Sequence, residues 1–205
     1  MCLISYNSRG FSKHKEDICN FLLSPHFGGN KLTILCNQEN FLLKANIFNI
    51  RKALPGYFAM IKPAVKLTHD KGRPKGGLFI AVPDCVKNEV KDVSPVFWRT
   101  QAIIISIKSS KILIINSYFP TDPGTVVLDE SELLETLHSI KLGIEENEFD
   151  QIYWLGDINT DFVRKTGHVK CVENFVNECQ FIKAWDNFHM DFTSRYWGYH
   201  THINC

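Results

Sequence analysis

The pattern of apolar and polar positions divides the chain into many short strands and a few helices. Runs rich in β-branched and aromatic residues predict strands near 2–6, 32–36, 57–61, 78–82, 97–107, 111–118, 151–155 and 180–184. In VFWRTQAIIISIKSSKILIINSYF two such runs are joined by Lys-Ser-Ser-Lys, which predicts a hairpin. Apolar residues at helical spacing predict helices over about 13–23, 130–146 and 168–179. Leu133, Leu137, Ile140 and Ile144 form the stripe of the second, with most of its acids on other faces; Val169, Val172, Val176 and Cys179 form that of the third. Strands outnumber helices and several follow one another directly. This excludes a plain alternating βαβ array and predicts an α+β chain of mixed sheets with helices packed outside. No repeat, low-complexity segment or linker interrupts it, so residues 1–205 read as a single domain.

The strand ends carry the candidate chemistry. LISYNSRG ends in Asn7, LTILCNQENF supplies Gln38 and Glu39, LIINSYFPTDPG carries Asn116 and Tyr118, and QIYWLGDINTDF places Gly156, Asp157, Asn159 and Asp161 after a buried strand. One reading is that Gly, Asp and Asn simply form the turn that ends a strand. The other is that Asp157 and Asn159, two apart on an extended segment, point the same way and converge with groups from other strand ends on one reacting atom. Rigid sheets hold such groups while loops admit a substrate. The second reading requires these strand-end groups to line one cleft.

Composition narrows the class. With 205 residues and 44% hydrophobic content the chain can bury one sizeable core. No run of about 18 apolar residues is present, so no membrane partner is expected. The start, MCLISYNSRG, enters a strand at once rather than a basic, apolar and cleavage region in series, which predicts an intracellular protein. The seven scattered cysteines include no CxxC pair and read as reduced, mostly buried thiols rather than a disulfide framework or zinc site.

The net charge of +1 conceals an asymmetry, because residues 1–125 hold 17 Lys plus Arg against 8 Asp plus Glu, and residues 126–205 hold 6 against 14. Lys62, Lys66, Lys71, Arg73 and Lys75 fall in KPAVKLTHDKGRPK, a predicted loop that either grips a phosphate backbone or is a solvated surface. His200 and His202, without a third ligand, read as exposed loop residues, and Trp185 and Trp197 as core or lid.

The ordered set formed by Asn7, NQEN with Glu39, KGGLFIAV, NSYFPTDPG, WLGDINTDF and AWDNFHMDFTS resembles the endonuclease/exonuclease/phosphatase superfamily. Within it, YFPTDPG followed by an acidic helix and LGDINTDF is similar to the apurinic-type endonuclease domain of non-LTR (LINE-type) retrotransposon polyproteins. The resemblance implies a four-layer α/β sandwich of two mixed β-sheets flanked by helices. It also implies Mg2+-dependent phosphodiester hydrolysis, with Mn2+ as a substitute ion. In it Glu39 binds the metal, Asn7 helps position metal or phosphate, and Asp157 orients or deprotonates the attacking water. Asn159 binds the scissile phosphate and Tyr118 donates its hydroxyl to a phosphoryl oxygen. Thr193 of MDFTS corresponds to a late phosphate-contacting Thr, with Thr201 as a competing match; Lys71, Arg73 and Lys75 would contact DNA. The implied partners are double-stranded DNA and the reverse transcriptase part of the same polyprotein, and the implied place of action is the nucleus.

The chain also departs from that family, whose members continue through a Ser-x-Ile-Asp-His strand to a final Asp-His pair. This sequence ends at Cys205 with neither SDH nor IDH. It therefore reads as a fragment, a degenerate copy or a severed domain, lacking its last strands, with one wall of the cleft open and an apolar edge exposed. Two alternatives to the nuclease remain: a catalytically dead DNA-binding remnant, and a phosphatase of the same superfamily acting on a phosphorylated lipid or inositol.

Overall fold

The computed structural model describes residues 1–23, 32–66, 72–121, 130–160, 167–183 and 199–204. Its central strands read as continuous apolar runs because both of their faces are covered. Along β2 (Thr33–Gln38), Ile34 and Cys36 face one layer while Leu35 faces another; along β4 (Leu78–Pro83), Ile80 and Val82 oppose Phe79 and Ala81. The same alternation splits β6 (Thr100–Ile107) and β7 (Ser110–Tyr118), where Ile103, Ile105, Ile112 and Ile114 face inward and Ala102, Ile104, Leu113 and Ile115 outward.

Three buried clusters follow from this, and they define four layers. Helices α1 (Phe11–Leu23) and α2 (Phe48–Ala53) pack Phe11, Ile18, Leu22 and Ile50 onto the outer face of a four-stranded sheet. Its order is β1 (Cys2–Asn7), β2, β4, β3 (Tyr57–Lys62). Helices α3 (Ser131–Glu145) and α4 (Gly167–Glu178) pack Leu133, Leu137, Ile140, Val172 and Phe175 around Trp154 on the outer face of a second sheet. That sheet is ordered β5 (Val90–Asp92), β6, β7, β8 (Gln151–Asp157), β10 (Tyr199–Asn204), β9 (Ile182–Lys183). The third cluster joins the two inner faces. The fold is the four-layer sandwich of two mixed sheets that the family resemblance implied.

Only β1/β2 and β7/β8 run parallel, and all other described pairs are antiparallel. Both parallel pairs end together: Asn7 is level with Gln38, and Tyr118 with Asp157. The segments that follow β1, β2, β7 and β8 therefore emerge at one end of the sandwich.

The predicted helices and most strands fall within a few residues of those observed, but several expectations are corrected. The region near 180–184 is a strand of two residues only, β6 starts at Thr100 rather than near 97, and β5, α2 and β10 were not anticipated. His200 and His202 lie in β10 instead of a loop, because its backbone pairs with β8 from Tyr199↔Gly156 to Asn204↔Gln151. Of the six cysteines described, none is in a disulfide, but only Cys36 is buried and Cys85 is exposed. No described helix is long and apolar enough to cross a membrane.

Lys62 is the clearest correction in the basic segment. It closes β3, and its ammonium donates to the carbonyls of Pro95 at 2.5 Å, Phe97 at 2.6 Å and Thr100 at 2.6 Å. It ties the edge of one sheet to the loop entering β6 of the other, and is not a free cation for a phosphate. Lys62→Met leaves these carbonyls without their charged donor and should lower stability by about 1–3 kcal/mol in urea unfolding. A loss under about 0.5 kcal/mol would show that the clamp contributes little.

Candidate active site

At the common end of the parallel pairs the inter-sheet layer changes from apolar to polar. Just above Cys36 and Ile114, the buried amides of Gln38 and Asn116 meet, with Gln38 Nε2 donating to Asn116 Oδ1 at 2.7 Å. Asn116 Nδ2 donates in turn to the carbonyls of Asn37 at 3.0 Å and Phe79 at 3.3 Å. These two residues, read from sequence as part of the strand-end polar set, form the buried floor of the site.

Above that floor four side chains from four strand ends form one hydrogen-bonded group. Asn7 Nδ2 donates to Glu39 Oε2 at 2.9 Å and to Asp157 Oδ2 at 2.5 Å. An amide nitrogen has two hydrogens, so each carboxylate takes one. The orientation is fixed by the other end of the amide, where Asn7 Oδ1 accepts the Arg9 backbone N–H at 3.0 Å. Tyr118 donates its hydroxyl to Glu39 Oε1 at 2.9 Å. Asn7, Glu39, Tyr118 and Asp157 thus gather, although Asn7 and Asp157 are 150 positions apart.

The fifth predicted residue adjoins them by a different route. The expectation that Asp157 and Asn159 share a face of an extended segment is corrected, because β8 ends at Asp157 and Asn159 has φ +49°. Asp157 Oδ1 accepts the Asn159 backbone N–H at 3.1 Å, a turn closed by the aspartate itself, and Asn159 Nδ2 donates to the Phe119 carbonyl at 2.9 Å. Both readings of GDIN are therefore present at once: the turn exists, and it is built on a residue of the gathered group.

Left-handed backbone surrounds the site. Arg9, Glu39 and Phe41 have φ of 45°, 53° and 56°, a region disfavoured for residues with a Cβ. Neighbouring backbone holds the Glu39 loop: Gly10 N–H donates to Glu39 O at 2.8 Å, Asn40 N–H to Gly77 O at 3.1 Å and Phe41 N–H to Gly76 O at 3.1 Å. The glycine pair of KGGLFIAV has its reason here. A Cβ on Gly77 would lie 2.3 Å from Asn40 Oδ1, and one on Gly76 would lie 2.4 Å from the Trp98 ring.

The basic segment divides. Arg73 stacks its guanidinium 4.1 Å over the Phe41 ring, two residues from Glu39, and Lys75 pairs its backbone with Val65. Lys71 and Thr193 lie outside the described residues, as do Trp185, Trp197 and Asp161. Sequence reasoning missed Arg99. It is 7% exposed, lies across from Tyr118, and gives no sequence signal beyond being a charge beside an apolar run.

Burial raises the Asp157 carboxyl above the usual carboxylate range, and the Glu39 charge adds to this; the Asn7 amide, the Asn159 N–H and Arg9 oppose it. Burial, followed by Glu39 and then Asp157, pushes Tyr118 upward against a smaller opposing effect of Arg99, which keeps the hydroxyl a donor at neutral pH. Among the described residues no three His, Cys, Asp or Glu side chains are grouped to enclose a metal. The donor set nonetheless fits Mg2+, a hard ion that takes one or two carboxylates and keeps several waters. Glu39 and Asp157 supply carboxylate oxygens linked through one amide, and Asn7 as oriented bridges them by donation.

Because its folded pKa is raised, Asp157 subtracts stability when ionised, and this cost is relieved as pH falls through that pKa toward the ordinary value of 3.8. In EDTA, Asp157→Asn should therefore raise Tm at pH 7.5, with the gain vanishing below about pH 4. Equal Tm values at pH 7.5 would contradict the burial cost.

No protein-family model matches the chain, and no curated protein matches it by sequence. Solved structures do. An AP endonuclease from Leishmania major superposes with a TM-score of 0.68 at 13% identity, over 98% of this chain and 78% of that one. A 3′ phosphatase from Neisseria bound to product DNA hairpin gives 0.65 at 13% identity, over 97% and 85%. An endonuclease/exonuclease/phosphatase family protein from Bacteroides thetaiotaomicron gives 0.60 at 14% identity, over 98% and 79%. At these identities the likeness is one of fold.

Proposed function

We propose that the chain is a phosphodiester hydrolase acting on DNA, and more narrowly the target-nicking endonuclease of a non-LTR retrotransposon polyprotein. The observation that carries the broader reading is the convergence of Asn7, Glu39, Tyr118 and Asp157 at the shared end of two parallel strand pairs. It occurs in a fold whose solved examples include an AP endonuclease and a 3′ phosphatase bound to DNA. The narrower reading rests on the resemblance of YFPTDPG and LGDINTDF to the retroelement branch. It implies a reverse transcriptase in the same polyprotein, and nuclear action on double-stranded DNA.

Glu39 would hold Mg2+, which when bound supplies charge neutralisation at the phosphoryl oxygens. The remaining work falls to the chain's own residues. Asp157, with its raised pKa, is suited to accept the proton of an attacking water. Asn7 holds Asp157 and Glu39 at fixed separation. Tyr118 turns its hydroxyl from Glu39 to a phosphoryl oxygen, and Asn159 uses the amide hydrogen not given to Phe119 on the scissile phosphate. Arg73 and Lys75 would hold the phosphate backbone beside Glu39.

A plasmid-nicking assay run beside a soluble inositol phosphate tests this function. Nicking should require Mg2+ or Mn2+, stop in EDTA, and fall at least about 100-fold in Glu39→Gln while the variant stays folded by circular dichroism. Nicking that survives chelation would refute the metal role. DNA binding without nicking would point instead to a non-catalytic DNA-binding protein, and turnover of the inositol phosphate alone to a phosphatase.

Changing Lys71, Arg73 and Lys75 together to Ala should weaken DNA binding and make log Kd less steep against log salt, by about 0.9 for each phosphate no longer neutralised. An unchanged slope would return the segment to ordinary solvated surface.

A further inference from the structure

Arg99 is a buried cation directly behind the proposed site. It precedes β6 and is tied to Tyr118 by backbone as well as side chain: the Tyr118 N–H donates to Arg99 O at 2.9 Å, and Arg99 Nη1 donates to Tyr118 O at 3.2 Å. Its guanidinium carbon lies 4.1 Å from the centre of the Trp98 ring and 5.3 Å from that of Tyr118. The other terminal nitrogen, Nη2, donates to Glu132 Oε2 at 2.6 Å, at the start of α3, while the buried Nε has no hydrogen-bond partner. The Arg99 side chain is 8% exposed and that of Glu132 52%.

A charge buried this deeply is costly unless something fixes its geometry. Its contacts suit a planar group rather than a point charge: two nitrogens donate in different directions while the plane lies near two rings. The Tyr118 hydroxyl stands at the end of a long lever, so a small tilt of the ring moves it by a large part of an ångström. A displacement of about 1 Å costs a reacting geometry about 100-fold. We propose that Arg99, held by Glu132, is a positioning residue that fixes the Tyr118 ring and so aims its hydroxyl into the group formed with Glu39.

This inference rests on the nuclease reading for its effect on rate, but the placement of Tyr118 can be measured without activity. Arg99→Lys keeps the charge and loses the fork and the plane; Glu132→Gln keeps an acceptor and loses the pairing charge. In nicking assays Arg99→Lys should lower kcat by about 10–100-fold and change KM less than about threefold. In a Tyr118→Phe background, where no hydroxyl remains to be aimed, the same change should cost no more than about twofold. Glu132→Gln should show the same dependence on Tyr118 with a smaller loss. Equal losses from Arg99→Lys in both backgrounds, or an undiminished kcat, would overturn the proposal.

With 3-fluorotyrosine at position 118, the parent should give one narrow 19F resonance, and Arg99→Lys a broadened or doubled one at unchanged far-UV circular dichroism. A resonance unaltered by Arg99→Lys would also overturn it. If the parent nicks no DNA, the nuclease reading fails and the 19F comparison alone decides whether Arg99 positions Tyr118.

Discussion

The hydrogen bond between Gln38 and Asn116 joins the two sheets at the depth where the core ends and the site begins. Below it, Cys36, Ile80, Ile114 and Leu155 belong to one buried apolar cluster; above it stand Glu39 and Tyr118, one and two residues further along the chain. Both amides are buried, so each must meet partners on the facing sheet, and Asn116 does so by donating to the Asn37 and Phe79 carbonyls. A one-residue slip in either strand would turn these amides into the helix-packed layers and leave polar groups orphaned. The register that keeps them satisfied is the register that places the site. Lys62 performs a related task at the sheet edge, where its ammonium joins β3 to the entry of β6.

Above this floor the chain accepts local cost. Two carboxylates share one amide, the Asp157 carboxyl is raised by burial, and Arg9, Glu39, Phe41 and Asn159 adopt left-handed backbone. Such conformations persist only where surrounding contacts over-determine them. Here the contacts are visible: backbone bonds from Gly10, Asn40 and Phe41 hold the Glu39 loop, and the Asx turn and Phe119 hold Asn159. Local preferences are thus broken where four strand ends meet, as a site requires of an otherwise consistent fold.

The strand alternations and helical stripes of this sequence were sufficient for mixed sheets with helices packed outside, because a strand packed on both faces must be apolar at successive positions whatever lies far along the chain; the two-sheet, four-layer arrangement came from the family resemblance. They also marked the four polar strand ends, since polar groups directly after buried runs stand out from the pattern, and the family resemblance chose Asn7, Glu39, Tyr118, Asp157 and Asn159 among them. What periodicity could not convey was which charges would be buried and where backbone would leave the extended region. Lys62 reads as one of a basic cluster and becomes an inter-sheet clamp; Arg99 reads as a lone charge and becomes the support of Tyr118; Asn159 reads as extended and turns left-handed on Asp157. The extent of β10 was equally hidden, because its pairing with β8 is a contact between distant segments. The sequence by itself determined which residues had to be inside and which strand ends carried polar chemistry, through hydrophobic burial that each segment expresses alone. Only the tertiary structure decided the partners of those polar groups, because a hydrogen bond or ion pair between residues 150 positions apart depends on register and layer order.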